Sequence, residues 1–149
     1  LIAVGQAARF PIDFGWAHTV DMEAVPGLSA EHPIVEAEIE RTDDPVFYGY
    51  ADRKIPIKYV GGQTLRVGVA DSANALARYV GGDAAVLSGL MTGADALKGR
   101  VFAADVPEAY HGHGRVILFS NNPIYRWQNH GEFNMIFNAI LNWDDVPGR

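Results

Sequence analysis

The sequence predicts an α/β domain, and three observations support that prediction. Residues 115–120 form a short, almost continuously apolar run with β-branched residues, which is typical of a strand buried on both faces of a sheet. From Glu132 onward, apolar residues recur with the spacing of a helix that packs one face on a core. These residues are Phe133, Ile136, Phe137, Ile140 and Leu141. Short apolar runs separated by glycines predict a β-rich middle.

The first forty residues predict two strands joined by a long connection. Residues 1–5 predict an inner strand that runs into a glycine turn, and residues 6–26 predict an irregular surface loop that tucks in aromatic side chains. Residues 34–40 alternate between apolar and acidic, which predicts a half-exposed strand. Glu36, Glu38 and Glu40 could instead form a carboxylate site, but no base or ligand cluster accompanies them, so we interpret them as a solvated strand face.

Six further apolar runs predict the strands of the middle region. They cover residues 46–50, 55–60, 65–70, 76–80, 85–90 and 101–106. Gly61, Gly62, Gly81, Gly82 and Gly99 punctuate them as turn residues, and none of these glycines belongs to a phosphate-binding loop. One or two helical turns are predicted around residues 92–97, with Thr92 as a possible cap. No repeat or linker divides the chain, so residues 1–149 are interpreted as a single domain.

Composition excludes several classes of protein. The chain has 149 residues, a net charge of −6 and no cysteine. The charge argues against a nucleic-acid or anionic-membrane partner, and the lack of cysteine excludes thiolate catalysis and Cys-based zinc sites within this chain. No apolar run approaches the ~20 residues of a membrane span. Because the chain opens on an apolar strand without Met, we expect it to be a fragment of a larger protein.

Three candidate catalytic or metal sites are weak. His111 and His113 have a spacing that can chelate a metal, but no third ligand lies nearby in the sequence. His18 and Asp21 have the spacing of a His/carboxylate pair but fall in the predicted loop. Ser88 lacks the Gly-x-Ser-x-Gly turn that exposes a nucleophile. We therefore predict no catalytic residue and no metal ligand in this chain.

The polar connection from Ser120 to Gly131 is the best candidate binding site, since ligands of α/β sheets bind beyond the carboxyl ends of strands. Its predicted binding residues are Asn122, Arg126, Trp127, Gln128 and His130. They could receive an anion or a peptide end near a helix N-terminus. The alternative is structural: Arg126 pins the loop to a neighbouring domain, and Asn129 or His130 helps to cap the helix.

The same region carries a family resemblance. Residues 114–120 (Gly-Arg-Val-Ile-Leu-Phe-Ser), residues 122–126 (Asn-Pro-Ile-Tyr-Arg) and residues 131–141 (Gly-Glu-Phe-Asn-Met-Ile-Phe-Asn-Ala-Ile-Leu) resemble the C-terminal accessory domain of bacterial carboxypeptidase-A-like zinc peptidases. In that family a class I glutamine-amidotransferase-like module follows the peptidase. Weaker supporting pieces at residues 31–34, 45–48, 76–79 and 87–99 extend the resemblance from about Pro26 to the helix.

The resemblance implies a partial flavodoxin-like sheet with a β-rich middle and a C-terminal covering helix. It does not imply catalysis. Active class I amidotransferases carry His-Pro-Glu after the equivalent strand, where this chain has Asn122, Pro123 and Ile124, and a cysteine nucleophile, which this chain lacks. Without a base a nucleophile is not activated. The zinc-peptidase motif is also missing, so zinc is expected only in the parent protein's peptidase domain.

The expected function is therefore a noncatalytic accessory module that braces or assembles the peptidase domain of a zinc metallocarboxypeptidase-like protein. One alternative is a peptide- or glycan-binding module that uses the loop at residues 120–131. A second is a remnant hydrolase or amidotransferase that needs residues absent from this chain. The expected partners are the catalytic domain of the same parent protein and a second copy of this chain in a homo-oligomer. The expected location is periplasmic or secreted.

Overall fold

The computed structural model describes residues 1–107 and 114–145, which form a mixed α/β structure with a large sheet and few helices. Its two α-helices are α1 (Arg9–Asp13) and α2 (Phe133–Leu141). The strands are β1 (Ile2–Val4), β2 (Val20–Ala24), β3 (Ser29–Ala30), β4 (Ile34–Ile39), β5 (Lys54–Lys58), β6 (Gln63–Val67), β7 (Ala75–Tyr79), β8 (Val86–Ser88), β9 (Met91–Thr92), β10 (Val101–Pro107) and β11 (Arg115–Phe119). The 3₁₀ segments are Gly5–Ala8, Pro45–Phe47, Val69–Asn74, Asp83–Ala85, Ala94–Leu97, Tyr125–Trp127 and His130–Glu132.

Nine strands belong to one sheet, whose main path runs β1-β11-β10-β7-β4-β5. Only the β1–β11 pair is parallel, and the other pairs in this sheet are antiparallel. Strand β6 leaves the path by pairing with both β10 and β2, and β8 pairs with β4. Strands β3 and β9 form a separate two-stranded sheet.

Strand β11 is buried along its whole length, as the sequence predicts. Ile117 and Phe119 point into one hydrophobic core, which α2 covers. Val116 and Leu118 point into a second core on the opposite face, beneath α1, β2 and β6. Because successive strand residues face opposite sides, an uninterrupted apolar run is what a strand between two cores requires.

The sheet curls until the two ends of its main path meet at Asn121. The Gly5 N–H, directly after β1, donates a hydrogen bond to the Asn121 carbonyl oxygen at 3.0 Å. The Asn121 side-chain amide donates to the carbonyl oxygen of Lys58, the last residue of β5. Since β1 and β5 are the two ends of the path, the residue after β11 brings opposite edges of the sheet together.

Most of the predicted strands are confirmed. The runs at residues 34–40, 55–60, 65–70, 76–80, 85–90 and 101–106 overlap β4, β5, β6, β7, β8 and β10. The acidic residues at 36, 38 and 40 form cross-strand ion pairs on the solvent side, with Lys54 at 2.9 Å, Arg53 at 3.8 Å and Arg78 at 2.9 Å. Among the described residues, no helix combines the length and apolar character needed to cross a membrane.

Four local predictions are wrong. The run at 46–50 is no strand: Pro45 fixes a helical φ and the Asp44 carboxylate accepts the Val46 N–H at 3.0 Å, which starts a 3₁₀ turn. Residues 6–26 contain α1 and β2 rather than only a loop. Strand β1 is an end strand rather than an inner one, since it pairs with β11 alone. The predicted helical turn at residues 92–97 is present as Ala94–Leu97, but Thr92 does not cap it and lies in β9.

The helix at the carboxyl end exists, but its buried face is not the predicted one. Phe133 is buried as predicted, and Met135 and Ala139 complete the buried face. Ile136 packs against the core in a partly buried position, whereas Phe137, Ile140 and Leu141 are exposed. The buried stripe thus runs through Glu132, Met135, Ile136 and Ala139, about one residue away from the predicted stripe. Glu132 is buried although it is polar, so a search for apolar residues in the sequence does not reveal this stripe.

Candidate functional site

The connection that follows β11 begins and ends with buried polar side chains. Ser120, Asn121 and Glu132 each expose 2% of their surface or less. The Ser120 hydroxyl shares a 2.8 Å hydrogen bond with the hydroxyl of Tyr79 on β7. Buried polar groups need partners inside the protein, and these side chains find theirs on two strands, β5 and β7. The connection is therefore attached to the sheet by buried hydrogen bonds.

Three side chains of this connection satisfy the free edge of β5. Asn129 donates its amide to the Pro56 carbonyl oxygen at 3.0 Å. The Glu132 carboxylate accepts the Lys58 N–H, and Asn121 donates to the Lys58 carbonyl oxygen. An edge strand otherwise presents unpaired backbone groups to other chains. The polar residues of this connection thus replace a neighbouring strand.

Glu132 is the most perturbed acid of the region. Burial raises its pKa to about 8, against hydrogen bonds from the Lys58 N–H and the Asn129 amide that favour the charged form. Its Oε2 atom and the Asn121 Oδ1 atom have no hydrogen-bond partner among the described residues. Such a carboxyl could act as a general acid in an open site. Here it is 1% exposed, so its role in this conformation is to hold the connection in place.

Helix α2 is fixed along its length by polar contacts. Asn138, in its middle, donates to the carbonyl oxygens of Val46 at 3.1 Å and Tyr48 at 2.8 Å. Arg115, at the start of β11, donates to the carbonyl oxygens of Asn142 at 3.4 Å and Asp145 at 3.2 Å. Since a guanidinium complements the negative end of a helix, Arg115 holds the carboxyl end of α2 as Glu132 holds its start.

The outward side of α2 is apolar. Phe137, Ile140 and Leu141 are 52%, 54% and 75% exposed, and Trp143, just beyond the helix, is 70% exposed. Residues three and four apart are neighbours on a helix surface, so the first three form one continuous patch. We call Phe137, Ile140, Leu141 and Trp143, together with Trp127 described below, the α2 outer face.

The predicted binding residues divide into one that is half-buried and four that are exposed. The Asn122 side chain accepts the Ile124 N–H at 3.0 Å and so shapes a turn. Arg126, Trp127, Gln128 and His130 are exposed. The Arg126 guanidinium lies over the Tyr125 ring, 5.2 Å from its centroid. The structure thus exposes four of the five predicted residues, and whether they bind a ligand stays a prediction.

Trp127 joins this loop to the helix. Its ring centroid lies 4.8 Å from that of Phe133 and 5.8 Å from that of His130. Trp127 is 72% exposed, and its contact with Phe133 places its ring beside the first turn of α2. Arg126 and Trp127 both have positive φ, 48° and 61°, a strained conformation for such residues. The loop keeps this strained conformation, in which the Trp127 indole is exposed to solvent.

The predicted capping of the helix is wrong. No side chain caps α2: Asn129 donates instead to Pro56 and to the Glu132 carboxylate, and the His130 ring contacts the Trp127 carbonyl oxygen at 3.0 Å. Sequence reasoning also missed the structural roles of Asn121 and Glu132. Their signal was positional: Asn121 closely follows a doubly buried strand, and Glu132 lies one helical turn before Met135 and Ile136.

The other candidate sites do not gather into a centre. Asp21 is paired with Arg66 across β2 and β6, His18 is exposed, and Ser88 lies exposed on β8. His111 and His113 lie outside the described residues. Within residues 1–107 and 114–145, no group of three or more His, Asp or Glu side chains could hold a metal ion.

No family model, no curated protein and no solved structure matches this chain.

Proposed function

We propose that this chain is a noncatalytic accessory module that holds a partner protein through the α2 outer face. The observation that carries the proposal is the exposure of five large apolar side chains on and beside one helix. Contiguous apolar surface of this kind commonly marks an interaction site in a soluble protein. Tryptophan, which contributes two of the five, is enriched among residues that dominate binding energy.

The anchoring of α2 supports the same role. Glu132, Asn138 and Arg115 fix the start, middle and end of the helix on the sheet, so the outer face is held rigid before a partner arrives. Pre-organisation lowers the entropic cost of association. Burying a large apolar side chain contributes roughly 1.5–3 kcal/mol, so a few such residues are enough to stabilise a complex.

The family resemblance supplies the proposed partner. It points to the catalytic domain of a zinc metallocarboxypeptidase-like parent protein, which would hold the zinc, and to a periplasmic or secreted location. A second copy of the chain bound through the same face is compatible with this role. The partial flavodoxin-like sheet belongs to the proposal as well; only the parallel β1–β11 pair has that geometry, and the rest of the sheet is antiparallel.

The test measures binding of this chain to the peptidase domain of the proposed parent protein by titration calorimetry. Leu141→Ser should weaken binding about tenfold, because a central apolar contact contributes more than 1 kcal/mol. Leu90→Ser is the matched control, since Leu90 is 71% exposed at a distance from α2 in the sequence and Leu141 is 75% exposed. The control should bind as the unaltered chain does.

Two results would overturn the proposal. One is a peptidase domain that does not bind the folded chain at all, in solution or when linked to it. The other is equal weakening by Leu141→Ser and Leu90→Ser, which would assign the effect to general surface hydrophobicity. A peptide or glycan that binds through Trp127, with no binding of the peptidase domain, would support the ligand-binding alternative instead.

A further inference from the structure

A second surface, remote from α2 in the fold, gathers positive charge in an acidic protein. An open cleft of about 340 Å³ lies where β10 begins, and Val101 at its base pairs with Leu65 of β6 and with Arg78 of β7. The charged side chains that line it are Glu23, Arg66, Arg78, Lys98 and Arg100. Asp21, Glu23 and Glu40 form ion pairs with Arg66, Arg100 and Arg78, so the four cations exceed their carboxylate partners by one, in a chain whose net charge is −6. An excess of one sign of charge in a cleft attracts ligands of the opposite sign.

The arginines are held in place by the protein. Arg78 donates to the Glu40 carboxylate at 2.9 Å and to the Gly99 carbonyl oxygen at 2.9 Å. Arg100 donates to the Ala96 carbonyl oxygen at 2.6 Å and to the Glu23 carboxylate. Arg66 donates to Asp21 through one terminal nitrogen. These bonds leave at least one guanidinium nitrogen of each arginine without an acceptor in the described part of the chain.

Lys98 is the cation with no internal partner. Within residues 1–107 and 114–145, no carboxylate lies within ion-pair distance of its ammonium group, and its side chain is exposed. Its backbone, however, is fixed. Gly81, with φ of +71°, lies so close to Lys98 that a Cβ at position 81 would clash with the Lys98 backbone. The glycine therefore permits a close approach that sets Lys98 at the rim of the cleft.

We propose that this cleft binds a small ligand that carries an oxyanion, either a carboxylate or a phosphate group. Guanidinium groups match the paired oxygens of both anions, and Lys98 adds a point charge. The volume is at the lower end of the range for small-molecule sites. Partly exposed ion pairs such as Arg78 with Glu40 contribute little net free energy, so an anionic ligand can share these arginines without unfolding the strands. This proposal is independent of the α2 outer face.

The experiment titrates the folded chain with inorganic phosphate and, separately, with citrate, and follows the heat of binding at low ionic strength. We expect one saturable site for at least one of the two anions, and binding that weakens with added salt. Lys98→Gln should weaken that binding about tenfold, the effect of losing one hydrogen bond to a charged group. Lys54→Gln removes the same charge from β5 and should leave binding unchanged.

Saturable binding of phosphate alone would identify a phosphate-bearing ligand, and binding of citrate alone would identify a carboxylate. Absence of saturable binding for both anions would overturn the proposal. Equal weakening by Lys98→Gln and Lys54→Gln would also overturn it, because net charge rather than the cleft would then explain the heat. Lys98 is exposed, and a thermal melt of each variant verifies that it is folded.

Discussion

The segment from Asn121 to Leu141 buries polar side chains on the side that faces the sheet and exposes apolar side chains on the side that faces solvent. This is the reverse of what its sequence pattern suggests. The inner side includes the buried polar residues Asn121 and Glu132, which complete the edge of β5. The outer side displays Phe137 and Leu141 to solvent. In most proteins buried polar groups and exposed apolar patches are the informative exceptions, and here both occur within twenty-five residues of one another in the sequence.

The difference shows which physical requirement determines the residues on each side. The inner side must satisfy the backbone groups of an edge strand, and apolar side chains cannot do that. Small or flexible residues such as Ala139 and Met135 then fill the remaining space against the sheet. Phe133 is buried as well, whereas Phe137, Ile140 and Leu141 lie on the solvent side of the helix.

The largest expected effect concerns the buried strand. Phe119→Ala should lower the free energy of unfolding by about 3–5 kcal/mol, because Phe119 is fully buried between β10 and the face covered by α2. Denaturant melts followed by circular dichroism measure it. A loss below about 1 kcal/mol would mean that α2 and β11 do not share the core described above.

The second effect tests the polar inner side through pH. The pKa of Glu132 is about 8 in the folded chain, above its ordinary value of 4.5, because burial disfavours the carboxylate. The folded state therefore binds this proton more tightly than the unfolded state. The stability that the proton confers is fully present below pH 4.5 and is lost as pH rises through about 8. The loss should amount to a few kcal/mol, since one pKa unit corresponds to about 1.4 kcal/mol.

Melts between these pH limits measure the slope directly. Glu132→Gln should flatten it, since a neutral amide carries no charge to bury, and its oxygen can still accept the Lys58 N–H. Glu31→Gln, a change at an exposed carboxyl, is the control and should keep the original slope. A Glu132→Gln slope equal to that of the unaltered chain would contradict the buried position of this carboxyl.

The smallest effect belongs to the outer side. Phe137→Ala should change the free energy of unfolding by less than about 1 kcal/mol, since the ring is half exposed. It is the same substitution as Phe119→Ala at a position eighteen residues later in the sequence, so the two melts compare the inside and the outside directly. A cost of about 3 kcal/mol or more would place Phe137 in the core and remove it from the α2 outer face.

Sequence patterns were sufficient where one physical demand dominated. The run at 115–120 predicted β11 because a strand between two cores is apolar at nearly every position. Alternation at 34–39 predicted β4 for a similar reason. The polar loop after β11 was also predictable, whereas the exposed residues Phe137, Ile140 and Leu141 were predicted to be buried.

Patterns failed where distant residues decide the outcome. The buried face of α2 could not be found from its own apolar residues. It depends on the backbone N–H of Lys58, an edge-strand group that needs the Glu132 carboxyl oxygen as its acceptor. Strand β2 was hidden because its five residues alternate too briefly to stand out beside a short helix. The basic cleft was invisible, since its charged residues lie on segments from position 23 to position 100.

The pairing of β1 with β11 also sets an order in time. Ile2 aligns with Ile117 across a parallel pair. Strand β1 therefore cannot form this pair until β11 has been synthesised. Until then its backbone donors and acceptors have no strand partner, and a loop spanning almost the whole chain must close before they gain one. Strand β1 therefore gains its strand partner only after β11 has been made, and until then it is an apolar segment open to other pairings.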